Sequence, residues 1–159
     1  MTSRAVEQEL AKLRSTANYQ FGGNLGNIIF RGNIKVTHSK RTGRMRLIYK
    51  DGELIATLRP NNGLLALTAS GARVLLRHAE KLKHMVVVRS DVASFIMKGG
   101  NVFAKHVVKA DGTIRPQDEV LVVDEGNRLL AVGRAFLSGV EMTSFKSGVA
   151  IKVRSGVED

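Results

Sequence analysis

Arg89-Ser90-Asp91-Val92-Ala93-Ser94-Phe95-Ile96-Met97-Lys98-Gly99-Gly100-Asn101-Val102-Phe103-Ala104-Lys105 opens the stretch that decides the fold, and that stretch runs on to Arg154. Ser90 or Asp91 stands where it can cap a helix. The apolar residues Val92, Phe95 and Ile96 follow at i, i+3 and i+4, and Lys98-Gly99-Gly100 ends that helix. A strand is predicted over Asn101 to Val108. After the Ala110-Asp111-Gly112 turn, Arg115-Pro116-Gln117-Asp118 leads into a strand from Glu119 to Val123. Asp124-Glu125-Gly126-Asn127 then turns the chain into another from Arg128 to Ala135. Ser138 and Glu141 have the spacing of a capping box for a helix reaching about Lys146, and Gly148 introduces a last strand, Val149 to Val153.

The string Lys98 to Lys105 resembles the first helix–strand junction of the PUA domain, a family named for pseudouridine synthases and archaeosine transglycosylases. Three later strings agree in order. Arg115 to Val122 resembles the strand-entry motif, Ala131 to Ala135 the glycine-bearing return strand, and Gly148 to Val153 the closing strand. The resemblance implies a small β pseudo-barrel with two short helices that binds structured RNA. It places the RNA groove between the first junction and the closing strand, which here carries over to Lys98, Gly99, Gly100, Asn101, Phe103, Lys105, Lys152 and Arg154. His106 departs from the pattern, standing where many PUA domains have glycine. Tyr19 to Gly22, Ser39 to Arg44, Ile55 to Arg59 and Ser138 to Met142 resemble the C-terminal portion of archaeal archaeosine tRNA-guanine transglycosylases, in which a small domain precedes the PUA domain. The catalytic barrel of that family, with its aspartates and cysteine-bound zinc, has no counterpart in this sequence. With no cysteine, its zinc site cannot be built here.

A chain of 159 residues has room for two small modules, each marginal alone, and the motifs divide it at residues 1–82 and 83–159. The absence of cysteine excludes a disulfide framework. No apolar run approaches the roughly 20 residues of a membrane helix. Glu7, Glu9, Lys12 and Arg14 interrupt any signal-peptide pattern, so a soluble cytoplasmic protein is expected.

The formal net charge is +11, and its distribution is uneven. Residues 1–79 hold 13 Lys and Arg against 4 Asp and Glu, whereas residues 80–159 hold 12 against 10. The excess therefore lies in the N-terminal half. That half reads as a helix on an antiparallel sheet. Val6, Leu10, Leu13 and Ala17 share a helix face. Strands are predicted at Ile34 to Thr37, Arg44 to Tyr49, Leu54 to Arg59 and Leu64 to Thr68, and a second helix at Ser70 to His78. The fold class is thus α+β.

Lys40, Arg41, Arg44 and Arg46 form the densest basic cluster. In a strand Arg44 and Arg46 face one way while Met45 and Leu47 face the other, which either holds phosphate or guards a solvated hairpin against edge pairing. Lys98-Gly99-Gly100-Asn101 combines a charge with residues that permit left-handed angles and close main-chain approach. Phe103 is placed either to stack a base or to enter the core.

Enzyme signals are weak. His38, His78, His84 and His106 lack metal-ligand spacing, and Gly22-Gly23-Asn24-Leu25-Gly26 lacks the lysine of a P-loop and reads as a plain loop. Asp118-Glu119 and Asp124-Glu125 read as turn residues. No cofactor or metal is expected. Two function classes follow: a noncatalytic tRNA-binding accessory of a tRNA-modifying enzyme, with a separate transglycosylase catalytic subunit as partner, or a translation factor that pairs an N-terminal domain with a PUA domain and acts at the ribosome.

Overall fold

The computed structural model describes residues 2–78 and 80–158, which fold as two units, the first ending at Leu82 and the second beginning at Lys83. In the first unit, β1 (Ser3–Arg4) precedes α1 (Glu7–Phe21) and the short α2 (Leu25–Ile29). Four strands follow, β2 (Ile34–His38), β3 (Met45–Lys50), β4 (Glu53–Leu58) and β5 (Leu65–Leu67), and α3 (Ala69–Leu76) closes the unit. The strands pair antiparallel in the order β1-β2-β3-β4-β5.

Helix α1 starts with Glu7 and Glu9 in its first turn, where carboxylates favour the positive end of the helix dipole. Its buried face is Leu13, Ala17, Gln20 and Phe21, whereas Val6 is the N-cap and lies exposed. The glycine-rich segment is not a plain loop, because α2 begins at Leu25. Gly26 sits inside α2 because a Cβ there would collide with the Arg14 carbonyl of α1. The carbonyls that end α2 draw in two cations. Arg14 donates to the Phe30 carbonyl at 2.8 Å, and Lys50 Nζ donates to Ile28 and Ile29 at 3.2 and 3.1 Å. Two of the positive charges in this unit are therefore structural.

Gln20 is 4% exposed and closes the outer edge of the sheet. Its Nε2 donates to the Leu65 carbonyl at 3.1 Å, and its Oε1 accepts from the Leu65 N–H at 2.7 Å, so a side-chain amide substitutes for a neighbouring strand on β5. Gln20→Ala strands both buried backbone groups and is expected to destabilise the protein by about 2–4 kcal/mol. Urea unfolding measures this, and an unchanged midpoint would show that solvent replaces the amide.

The second unit contains β6 (Met85–Val88), a 3-10 turn at Ser90–Val92, α4 (Ala93–Met97), β7 (Val102–Phe103), β8 (Val107–Ala110), β9 (Glu119–Val123), β10 (Leu129–Ala135), α5 (Gly139–Ser144) and β11 (Val149–Gly156). Its sheet order is β7-β11-β10-β9-β6-β8, with β6 parallel to β9 and the other pairs antiparallel. β7 and β8 lie at opposite edges, yet the three residues Ala104–His106 join them. Laid flat, those edges would stand roughly 24 Å apart at about 4.8 Å per strand. Four residue steps cross at most about 14 Å. The sheet must therefore curl into a nearly closed barrel.

Val86, Val88, Ile96, Val102, Ile114 and Val120 are among the residues that fill it. Both expected short helices are present. The Ser138–Glu141 capping box forms at α5, with Glu141 N–H donating to Ser138 Oγ at 3.2 Å and Ser138 N–H to Glu141 Oε1 at 2.9 Å. The α+β reading of both halves holds, with local differences. The expected strand from Asn101 to Val108 is broken at Ala104–His106, because its two halves serve opposite edges of the barrel. α5 stops at Ser144, and β6 and β1 were not foreseen. Among the described residues, no helix is long and apolar enough to cross a membrane.

Candidate nucleic-acid interface

The helix–strand junction of the second unit is built by a change of backbone direction at Gly99, whose φ of +101° belongs to the region that glycine adopts freely. Gly99 N–H donates to the Ile96 carbonyl and Gly100 N–H to Phe95, which finishes α4. Gly100 has no left-handed angle. What requires glycine there is contact, since a Cβ would overlap the ring of Phe95.

Phe95 does not enter the core as its spacing suggested. It is 53% exposed, its ring lying against the Gly100 backbone two positions beyond Lys98, itself exposed. The result is an open aromatic surface beside a cation. Phe103 is half-buried and meets the His106 ring edge-on, centroids 5.9 Å apart at 86°. Burial lowers the pKa of His106, and the nearby Lys105 and Arg89 lower it further against the opposing pull of Asp91. The imidazole is thus held towards its neutral form, and its Nδ1 is buried without a hydrogen-bond partner. His106 and Phe103 thus form a packed aromatic pair.

Asn101 joins the junction to the closing strand: its Oδ1 accepts from Val153 N–H at 3.0 Å. β7 pairs with β11, and Glu158 N–H donates to the Met97 carbonyl at 2.8 Å, so the end of the chain finishes the end of α4. The junction and the closing strand, whose Asn101 and Val153 are 52 residues apart in sequence, are therefore neighbours. Lys98, Lys105 and Lys152 are exposed around them. Arg154 is engaged differently. Its guanidinium grips both carboxylate oxygens of Glu119, whose side chain is fully buried. That ion pair ties Arg154 into the fold.

In the first unit, Lys40, Arg41, Arg44 and Arg46 are all exposed. Arg44 belongs to the turn rather than to β3, its carbonyl accepting from Ser39 N–H at 2.8 Å, and Gly43 takes a φ of +73° between them. Arg46 is exposed between the half-buried Met45 and Leu47, as alternation requires. The quartet crowns the β2–β3 hairpin. Among the described residues, no group of three or more His, Asp or Glu side chains could hold a metal ion.

Residues 84–157 match the model of the PUA domain. That stretch of the chain resembles the PUA domain. Ahead of it, residues 11–81 match the patch-forming domain C2 of tRNA-guanine transglycosylase. The tRNA-guanine(15) transglycosylase of Methanobrevibacter smithii is 42% identical over 155 residues, which is 98% of this chain and 24% of that enzyme. The Pyrococcus furiosus enzyme of the same name is 41% identical over 96% of this chain and 26% of its own length. The chain thus spans about a quarter of the curated relatives it matches, and it resembles their C-terminal part. Two solved structures share the fold. A hypothetical protein from Pyrococcus horikoshii superposes with a TM-score of 0.81 at 24% identity, covering 100% of this chain and 96% of its own. A conserved PUA domain protein from Thermoplasma acidophilum superposes at 0.72 with 19% identity, covering 100% and 95%.

Proposed function

We propose that this chain is a noncatalytic RNA-binding protein of the cytoplasm that holds tRNA for an archaeosine-type tRNA-guanine transglycosylase or a related tRNA-modifying enzyme, with a separate catalytic subunit as its partner. The observation that carries this reading is the pairing of a C2 match with a PUA domain in one chain, in register with a single class of tRNA-guanine(15) transglycosylases. The geometry supports a division of labour. The hairpin quartet Lys40, Arg41, Arg44 and Arg46 supplies exposed cations that attract phosphate without reading sequence. Lys98, Gly99, Gly100, Asn101, Phe103, Lys105, Lys152 and Arg154 form the second surface, where Phe95 adds the aromatic plane on which an unpaired nucleotide can stack.

The test is a filter-binding comparison of a tRNA transcript with an RNA duplex of equal length at two salt concentrations. tRNA is expected to bind more tightly at both, with each affinity falling as salt rises. Equal affinities would reduce the protein to a general polyanion binder. Co-sedimentation with small ribosomal subunits and no effect on base exchange by a transglycosylase catalytic domain would instead favour a translation factor.

A further inference from the structure

The outer face of β9, β10 and β11 carries an arrangement that folding alone disfavours. Arg134 on β10 is directly opposite Lys152 on β11 and, on its other side, directly opposite Glu119 on β9. Cross-strand partners share a face with their Cβ atoms about 5 Å apart, and like charges so placed repel. The neighbouring acid does not resolve the conflict. Both carboxylate oxygens of Glu119 are taken by Arg154, which reaches across from β11. Arg134 and Lys152 are exposed and, among the described residues, neither has an ion-pair partner. Three cations therefore meet one acid on a single patch of sheet, and the surplus of two positive charges faces solvent.

We infer that this patch is a phosphate-contact surface for the RNA backbone, with Arg134 as a binding residue and Glu119 as a positioning residue that fixes Arg154 beside it. The inference rests on the RNA-binding reading above and extends its PUA-domain surface, through Lys152 and Arg154, across the sheet to Arg134 on β10. Each step has a physical reason. A guanidinium pinned by a buried carboxylate is already ordered, so little side-chain entropy remains to be lost on binding. Arg134 and Lys152 repel each other in the free protein, and a phosphate oxygen between them relieves that repulsion as it binds. Backbone phosphate presents such charges at every nucleotide, so the patch contributes affinity and salt dependence without sequence preference. An acidic protein segment would also meet the charge requirement. RNA is preferred because the exposed basic cluster on the β2–β3 hairpin suits the same polyanion.

The test uses the full chain with Arg134→Ala and Lys152→Ala combined, and three probes: a tRNA transcript, an RNA duplex and poly-glutamate. The double variant is expected to melt at or slightly above the wild-type temperature, because a repulsion has been removed. Its affinity for both RNAs should fall alike, by roughly tenfold at low salt, and the slope of log affinity against log salt should flatten by about 1.5, two contacts at about 0.7–0.9 each. The ratio of tRNA to duplex affinity should stay as in the wild type. Unchanged affinity and slope for both RNAs would overturn the inference while leaving the tRNA reading intact. So would a variant that loses poly-glutamate alone, which would point to an acidic protein. A wild type that binds tRNA and duplex equally, with the double variant still weakened, would sink the tRNA reading and leave the phosphate patch standing. A wild type that binds neither RNA overturns both.

Discussion

Arg154→Ala should destabilise the protein by about 3 kcal/mol or more, because it removes the guanidinium that pairs both oxygens of a buried carboxylate. The Glu119 side chain has no solvent exposure, whereas the Arg154 side chain keeps 38%. The arginine can regain water when the pair is broken, but the glutamate cannot. Most of the cost therefore comes from the buried acid, not from the lost attraction. For a chain of this size the melting temperature should drop by roughly 10 °C, at about 2–4 °C per kcal/mol. Replacing both partners with methionine removes the buried charge together with its counter-ion, and should recover most of the loss. If Arg154→Ala melts with the wild type, water reaches Glu119 and the pair is an ordinary surface contact. The consequence for RNA assays is direct: weak binding by this variant has to be separated from unfolding, which is why Arg134 and Lys152 are the better probes of the β9–β11 face.

Glu119 also shows where sequence reading stops. As a strand the segment Glu119–Val123 was legible, since five residues ending in a run of Val and Leu between two turn motifs leave few alternatives, and all five are buried. That its first residue is a buried acid could not be read, because its partner lies 35 residues away on a strand separated from it by β10. The capping box of α5 was legible for the opposite reason: donor and acceptor are three residues apart. The break at Ala104–His106 left no local mark, since apolar residues continue through Val102, Val107 and Val108, and it is imposed by closure of the barrel. Gln20 belongs to the same class. Glutamine on a helix reads as solvated, and only the bare edge of β5, 45 residues on, explains its burial. At the candidate site, sequence marked the cations and glycines but did not show that the Phe95 ring is open to solvent. Helical spacing put Phe95 on the apolar face and strand alternation left Phe103 open to either role. The position of the Phe95 ring depends on the missing side chain of Gly100, a contact that periodicity does not register.

The exposed Phe95 ring leads to the largest effect expected on binding. Phe95→Ala should lower tRNA affinity by roughly 5- to 150-fold, corresponding to the about 1–3 kcal/mol that stacking of one base on an aromatic ring contributes. It should also bring tRNA affinity close to that of the duplex, whose bases are already stacked on one another and offer no free face. The salt slope should not change, because no phosphate contact is lost. Stability should fall little, since the ring is 53% exposed and covers mainly the glycine backbone. Gly100→Val provides a second route to the same result, displacing the ring by filling the space it occupies while leaving the phenylalanine in place. Gly100 has no positive φ, so the substitution is not opposed by the backbone and the change falls on the ring itself. Agreement between the two variants would separate loss of the ring from loss of its position. Phe103→Ala is the internal control: this side chain is half-buried against His106, so its removal should lower the melting temperature more than it lowers tRNA selectivity. If instead Phe95→Ala keeps the full preference for tRNA and Phe103→Ala abolishes it without loss of stability, the stacking surface lies on β7 and the junction serves only to end α4.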